Sequence, residues 1–188
     1  YTPSGRLIQR NFDDGIDEYY NNLLNENREL SDASQIDRPI YQTKQGRKVY
    51  GGGGINPDIF ISNDNNFTDK TQLILTNPNR LLFRYANNIK NDFKNISSFK
   101  KFNKNIVNSK SSPIKITQFV DWVNSVDDSI ILDKTDIIED WEYLENRILA
   151  NIASSLWGKN YYYNIMLNQD KQFSSAIENI YLAKDLIK

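Results

Sequence analysis

The sequence contains no cysteine and no histidine among its 188 residues. Without cysteine, these residues cannot form disulfides, thiolate nucleophiles or cysteine-ligated metal sites. Without histidine, they cannot form imidazole bases, serine–histidine triads or histidine-ligated zinc sites. Catalysis by these residues alone would therefore depend on serine with lysine, on carboxylates, on tyrosine or on arginine.

Long apolar runs and excess basic charge are absent as well. No stretch approaches the roughly 18 apolar residues that cross a bilayer. The net charge is -1, so the basic balance typical of nucleic-acid binding is absent and we expect no nucleic-acid partner. With 25% charged and 39% hydrophobic residues, the composition is that of a folded globular domain.

Glycine is scarce, yet four of the eight glycines form one run, Gly51–Gly54. A phosphate-binding loop requires Lys-Ser/Thr after its last glycine, and a dinucleotide fingerprint likewise opens a helix. Here Ile55-Asn56-Pro57-Asp58 follows, and Pro57 prevents an immediate helix. We therefore interpret the run as a passage between strands, where residues take positive φ or backbones pass closely.

The first 62 residues predict short strands, tight turns and one inserted helix. A turn at "PSG" leads into an extended run, and a turn at "KQG" closes a hairpin. The expected segments are extended Leu7–Arg10, helix Ile16–Leu30, hairpin strands Ile40–Thr43 and Arg47–Tyr50, and a further strand within Gly54–Ser62. About four strands with unpartnered edges indicate a sheet that is completed by residues elsewhere.

From about Phe67 the pattern becomes helical. One helix is expected to start at Asn77 with Pro78 in its first position, and another to bury Phe119, Trp122 and Val123. The strongest helical pattern runs from Ile137 to Leu156 and ends at Gly158. A last helical segment has Asp170 as its N-cap. The listed stripes are Leu81, Leu82, Tyr85 and Ile89 in the first helix, and Ile137, Trp141, Leu144, Ile148, Ile152 and Leu156 in the long one.

Two patterns in the sequence imitate reactive sites. Ser97-x-x-Lys100 has the spacing of a serine–lysine acyl-transfer pair, but its companion motifs are missing, so we interpret it as solvated surface. The carboxylate clusters lack the alternation, central glycine and twelfth-position glutamate of a calcium loop, and no metal site is expected. These clusters are Asp13/Asp14/Asp17/Glu18, Asp127/Asp128 and Glu139/Asp140/Glu142.

The aromatic phrase "WGKNYYY", Trp157 to Tyr163, has two readings. Its rings could be a stacking platform for bases or sugars. Alternatively they close the core of the helical bundle, to which Trp and Tyr contribute large areas. We favour the core.

Two phrases resemble those of the C-terminal processing, or tail-specific, serine peptidases. "YTPSGRLIQ" at Tyr1–Gln9 matches one, and "GRKVYGGGGINPD" at Gly46–Asp58 matches a form found in one bacterial branch. A weaker likeness to that branch's helical extension covers Leu156-Trp157-Gly158, Tyr161-Tyr162, Asp170 and Ala176, so the resemblance spans nearly the whole chain. The motif positions are Tyr1, Thr2, Pro3, Ser4, Gly5, Arg6, Gly51, Gly52, Gly53, Gly54, Pro57 and Asp58.

The resemblance implies a serine nucleophile and a lysine base, often assisted by a glutamine, and a PDZ domain that captures the substrate's C-terminus. It places all of these upstream of Tyr1, so we carry no catalytic role onto Ser4, Lys44 or Lys48. The implied fold is α+β: residues 1–62 complete the protease-core sheet with a helical insertion and a hairpin, and residues 63–188 form a mostly helical C-terminal domain.

The expectation is a non-catalytic, structural or regulatory C-terminal fragment of a bacterial serine endopeptidase, without catalytic, cofactor-binding or metal-binding residues of its own. Its partners would be the rest of the parent protease, peptide substrates through that parent, and a second copy in a homodimer. The implied location is the bacterial cell envelope, in the periplasm. The alternative is a helical protein-interaction or dimerisation module, for which exposed Phe99, Phe102 and Phe119 would be suited.

Overall fold

The computed structural model describes residues 1–9, 15–17, 20, 38–52, 54–55, 57–62, 66–109 and 112–187. The chain divides into two compact units. The hairpin unit comprises Tyr1–Asn63 with Glu178–Lys188, and the helical unit comprises Asp64–Ile177. The described fold is mostly helical with a small antiparallel sheet of two strands.

The hairpin unit contains that sheet. Strand β1 spans Ile40–Gln42 and β2 spans Lys48–Tyr50, with Ile40 opposite Tyr50 and Gln42 opposite Lys48. Gly46 has a φ of 80°, and its amide donates to the Thr43 carbonyl at 2.9 Å. Glycine takes this positive φ without steric cost, so the predicted hairpin and its turn are confirmed.

The remaining regular elements are helices. They are α1 (Asp69–Thr76), α2 (Leu81–Ile89), α3 (Phe99–Phe102), α4 (Ile116–Val126), α5 (Trp141–Trp157), α6 (Lys159–Met166), α7 (Lys171–Glu178) and α8 (Ile180–Ile187). Short 3-10 segments occupy Lys90–Phe93, Lys134–Asp136 and Leu167–Gln169, and a π-helical turn occupies Asn103–Val107.

Helix α5 is the centre of the helical unit. Its apolar residues Leu144, Ile148 and Ile152 recur every four positions and are fully buried. It packs against α2 and α6. It ends at Gly158, whose φ of 114° is one that other residues rarely adopt, as the sequence predicts.

The core of the helical unit is continuous and includes residues from every helix from α1 to α6. Among its fully buried aromatic and aliphatic side chains are Leu81, Phe102, Phe119, Ile137, Leu144, Ile148, Ile152 and Ile165. Burying a side chain of this size contributes about 1.5–3 kcal/mol relative to exposing it.

Polar contacts fix the ends of several helices to one another. The Thr68 side chain caps α1, and Asp140, just before α5, accepts from both the Thr68 amide and the Thr68 hydroxyl at 2.9 Å. The Asn124 side-chain amide exchanges two hydrogen bonds of 2.9 Å with the Leu132 backbone. Asp170 caps α7 through the Phe173 amide at 2.9 Å, which confirms that N-cap.

Two predicted elements differ from the structure. The strand predicted within Gly54–Ser62 is wrong, because none of its described residues lies in a β-strand. Helix α2 begins after Arg80 instead of at Asn77, since Asn77 ends α1 and the segment to Arg80 is a turn. The helix predicted over Ile16–Leu30 lies largely outside the described residues, and the residues described in that range, Ile16, Asp17 and Tyr20, are helical.

Candidate functional site

The phrase "TPSGR" folds as a tight turn in the hairpin unit. The Gly5 amide donates to the Thr2 carbonyl at 2.8 Å, and the Thr2 amide donates to the Arg6 carbonyl at 3.0 Å. Gly5 has a φ of 76°, so the phrase needs glycine at this position. The Ser4 hydroxyl pairs with the Thr2 hydroxyl at 2.9 Å, as expected for a residue that shapes the turn.

This turn is connected to the glycine run across 44 residues of sequence. The Arg6 guanidinium donates from Nη1 to the Tyr50 carbonyl at 3.2 Å. The Gly52 amide donates to the Leu7 carbonyl at 2.7 Å, and the Gly51 amide donates to the Pro39 carbonyl at 2.9 Å. The two family-like phrases therefore meet in space and share backbone hydrogen bonds.

The described glycines of the run have two different roles. Gly51 is buried, and a Cβ there would lie 2.8 Å from Tyr41 Cε2 and 3.4 Å from the Leu7 carbonyl oxygen. Gly52 and Gly54 instead have φ angles of 74° and 89°. The run thus combines one close backbone approach with positive φ angles, as predicted, although the described residues after it form no strand. Gly53 lies outside the described residues.

The end of the second phrase is tied back to the hairpin. Arg47 and Asp58 form an ion pair, and both side chains are largely exposed. Pro57 is also exposed. An exposed pair of this kind contributes little to stability, about 0–1 kcal/mol. Its effect is to hold the chain after the glycines close to the start of β2.

A cleft of about 390 Å³ lies between the turn and the hairpin. Ser4, Arg6 and Lys44 line it, and none of its lining residues in the described part of the chain is acidic. Among the described residues, the Ser4 hydroxyl has Thr2 as its hydrogen-bond partner and no lysine ammonium within hydrogen-bonding distance. A serine nucleophile needs such a base, so the cleft lacks the arrangement for serine–lysine catalysis.

Both residues of the other sequence-predicted pair, Ser97 and Lys100, are exposed to solvent. Its neighbour Ser98 is the residue with a local function, since the Ser98 hydroxyl caps α3 by accepting from the Lys101 amide. Both positions have the solvent exposure that the surface interpretation predicts.

The carboxylate clusters separate into different environments. Asp13, Asp14 and Glu18 lie outside the described residues, while Asp17, Asp128 and Glu139 are exposed. Within the described ranges, no three carboxylates come together in a way that could hold a metal ion.

Asp127 is the exception, because its carboxylate is buried and fully engaged. It accepts from the Asn77 and Asn79 side-chain amides at 3.1 Å each and from the Ser129 amide at 3.0 Å. The Ser129 hydroxyl donates to it as well. Hydrogen bonds from Ser129 and Asn79 lower the pKa of Asp127 to about 2, because they favour the ionised form. Asp127 thereby joins the turn before α2 to the end of α4.

The aromatic phrase is divided between core and surface. Trp157 packs against Phe102 at 5.1 Å between ring centroids, and Tyr161 packs against Phe99 at 4.3 Å. Trp157 is half-buried against the core, in agreement with the favoured interpretation. The hypothesis that Phe99, Phe102 and Phe119 are exposed is wrong, because Phe102 and Phe119 are fully buried and Phe99 is half-buried.

The sequence patterns did not predict one cluster of cations. Arg80, Arg147 and Lys159 line a second cavity, inside the helical unit. The three residues are far apart in sequence, and no local motif links them. Only the packing of α5 against α2 and α6 brings them together.

No family model matches the chain, and neither a curated protein nor a solved structure was found that matches it. In the part of the chain that the structure describes, no helix is both long and apolar enough to cross a membrane.

Proposed function

We propose that this chain is the C-terminal part of a bacterial C-terminal processing serine endopeptidase, in which it has a structural or regulatory role. The contact between the two family-like phrases carries the proposal. Arg6, Leu7, Tyr50 and Gly52 join the "TPSGR" turn to the glycine run by hydrogen bonds of 3.2 and 2.7 Å. Two phrases that resemble one family thus act as a single folded element.

The solvent exposure of apolar side chains in the hairpin unit also supports the proposal. Gly51 is the only buried residue among those described in it, while the apolar side chains of Ile40 and Ile55 are 60% and 68% exposed. Strand pairing with further polypeptide would cover such residues. In the proposed parent protein, this polypeptide is the protease-core sheet.

The chemistry is assigned to residues upstream of Tyr1. The sequence has no histidine or cysteine, and the hydrogen-bond partner of the Ser4 hydroxyl is Thr2 and not a lysine. In the proposed parent, an upstream serine attacks the peptide carbonyl, and an upstream lysine accepts the hydroxyl proton and returns it to the leaving amine. By the same resemblance, the parent acts in the periplasm.

The test is to express the full reading frame that encodes this chain and measure cleavage of a peptide with a free apolar C-terminus. We expect the longer protein to cleave the peptide and this chain alone to be inactive. Ser4→Ala and Lys44→Gln in the longer protein should retain activity, because neither residue takes part in catalysis.

Two results would contradict the proposal. One is turnover by this chain alone that Ser4→Ala abolishes. The other is an upstream coding sequence without a Gly-Lys-Gly phrase about 20 residues before Tyr1 and a serine-rich segment before it, the arrangement that the resemblance implies.

A second candidate is a protein-interaction or dimerisation module. Helix α7 has no buried residue, and Phe173 and Ile177, four positions apart on it, are 42% and 55% exposed. Residues at this spacing share a helix face. Light scattering after size exclusion tests it: a mass of twice 21.9 kDa that Phe173→Ser reduces to 21.9 kDa supports dimerisation, and a wild-type monomer contradicts it.

A further inference from the structure

The helical unit contains a cavity of about 450 Å³ that is independent of the hairpin unit. It is bounded by the end of α1, the turn before α2, the first turn of α2, and side chains of α5 and α6. Its volume lies within the range of about 300–1,000 Å³ typical of small-molecule sites.

The charged groups at this cavity all have the same sign. Arg80, Arg147 and Lys159 line it, and no acidic side chain of the described residues does. None of the three forms an ion pair with a carboxylate among the described residues. Since the chain's net charge is -1, three cations at one cavity are a local concentration and do not reflect an overall excess.

Arg147 is the innermost of these cations. Its Nε atom is buried without a hydrogen-bond partner, and its Nη1 makes a single long contact of 3.4 Å to the Tyr143 hydroxyl. A buried guanidinium nitrogen without an acceptor is costly. The guanidinium has no other hydrogen-bond partner among the described residues, so its outer nitrogens are available to an anion in the cavity that Arg147 lines.

Two helix N-termini add to the positive potential. The first turn of α2 lines the cavity, and Arg80 enters that helix from the left-handed region, with φ 53° and ψ 54°. Helix α6 starts at Lys159, after Gly158. Neither helix has a side-chain cap, and helix N-termini attract anions through their free amides and dipoles.

The walls of the cavity are apolar and aromatic. Leu81 and Leu82 are buried beneath it, and Tyr162 and Tyr163 stand on the α6 side. Asn151 and Ser154 of α5 supply neutral hydrogen-bonding groups. Apolar walls with a few convergent polar groups are the usual composition of a ligand site.

We propose that this cavity binds a small organic anion. Arg80, Arg147 and Lys159 hold its carboxylate or phosphate group, and its apolar or aromatic body packs against Leu81 and Tyr162. Phosphate and carboxylate groups share the geometry that arginine recognises, and the ligand titration distinguishes them. This site does not depend on the proposed peptidase function.

The purified chain is titrated with phenyl phosphate, with N-acetylphenylalanine, and with the uncharged amide of N-acetylphenylalanine. Binding is measured by calorimetry and by NMR of the arginine Nε–H groups. We expect saturable binding of at least one acid, a shifted Arg147 Nε–H resonance, and no binding of the amide. The preferred acid identifies the headgroup.

The matched variants are R80Q/K159Q, which removes two exposed cavity cations, and K100Q/K101Q, which removes two exposed lysines outside the cavity. Affinity should fall about tenfold or more in the first variant and stay near wild type in the second. Absence of saturable binding by both acids overturns the proposal. Equal affinity of R80Q/K159Q and wild type also overturns it, as does equal binding of the acid and its amide.

Discussion

The two units of this chain are stabilised in different ways. The helical unit has a continuous core, with Phe102, Phe119, Ile148 and Ile152 fully buried. The hairpin unit is held chiefly by backbone hydrogen bonds and by the fit around Gly51, and the rest of its described residues are exposed or half-buried. Because burial of apolar area is the dominant favourable term in folding, most of the stability belongs to the helical unit.

This difference in burial implies that the two units have different requirements for folding. Apolar packing allows the helical unit to fold from its own residues, whereas a two-stranded hairpin is at best marginally stable alone. The hairpin unit is therefore the part for which contacts with further polypeptide matter most. Substitutions in each unit test this contrast.

The largest expected effect comes from the core. Ile148→Ala should lower the free energy of unfolding by about 2–5 kcal/mol, because it removes buried methylenes and leaves a cavity. The matched change Ile40→Ala in β1, where the side chain is 60% exposed, should stay within about 0.5 kcal/mol. Denaturant unfolding of both variants gives the comparison. Equal losses would show that the contrast between the units is wrong.

The next effect is local to the hairpin unit. In Gly51→Ala the new methyl group would lie 2.8 Å from Tyr41 Cε2, so the hairpin should be destabilised by about 1–3 kcal/mol. Hydrogen exchange at the Gly51 and Thr43 amides should accelerate, while exchange within α5 stays unchanged. Adding Tyr41→Ala should recover part of the loss, since it removes the clashing ring. Unchanged hairpin exchange in Gly51→Ala would contradict the close-packing argument.

A smaller, pH-dependent effect is expected in the helical unit. The folded-state pKa of Asp127 is about 2, below its ordinary value of 3.8, so its contribution is complete above pH 3.8 and is lost as pH falls through 2. Asp127→Asn should be less stable than wild type at pH 7, and this difference should shrink toward pH 2. Asp128→Asn, at an exposed neighbour, is the control. Parallel acid-unfolding curves for wild type and Asp127→Asn would refute the assignment.

The smallest expected effect has a pH dependence opposite in sign to that of Asp127. Burial raises the pKa of Glu145 above its ordinary value of 4.5, and Glu142 adds to this shift, although Ser112 and Lys115 oppose it. A raised carboxyl pKa contributes stability at low pH that is lost as pH rises through the folded-state pKa. Glu145→Gln should therefore gain stability relative to wild type as pH rises above 4.5. Thermal melts of wild type, Glu145→Gln and the exposed control Glu139→Gln measure this difference in stability. A Glu145→Gln variant that loses stability relative to wild type as pH rises would contradict the raised pKa of Glu145.

Local chemistry made part of the fold predictable. Gly46 and Gly158 mark the hairpin turn and the end of α5, because their positive φ angles require glycine. The spacing of Leu144, Ile148 and Ile152 predicted the central helix. Asn77 was wrongly predicted to start α2. Its side chain hydrogen-bonds to Asp127 and to the Asn79 amide in a turn. An Asn-Pro pair is common both before a turn and before a helix, so the sequence does not distinguish them.

The candidate sites depended on contacts across long separations. The glycine run could be rejected as a phosphate loop from Pro57 alone, but its contact with Leu7 and Arg6 could not be read from either phrase. Likewise, Phe102 was expected on the surface because the short, mixed segment around it does not show which face of a helix finds a partner, yet Phe102 is fully buried.

By itself, the sequence determined which chemistries these residues cannot perform and where its helices and its hairpin turn form. Those outcomes follow from residue types and short-range periodicity. The tertiary structure alone decided that the "TPSGR" turn lies against the glycine run and that Arg80, Arg147 and Lys159 share one cavity. The physical reason is that such contacts arise only when packing brings together residues that no local backbone preference connects.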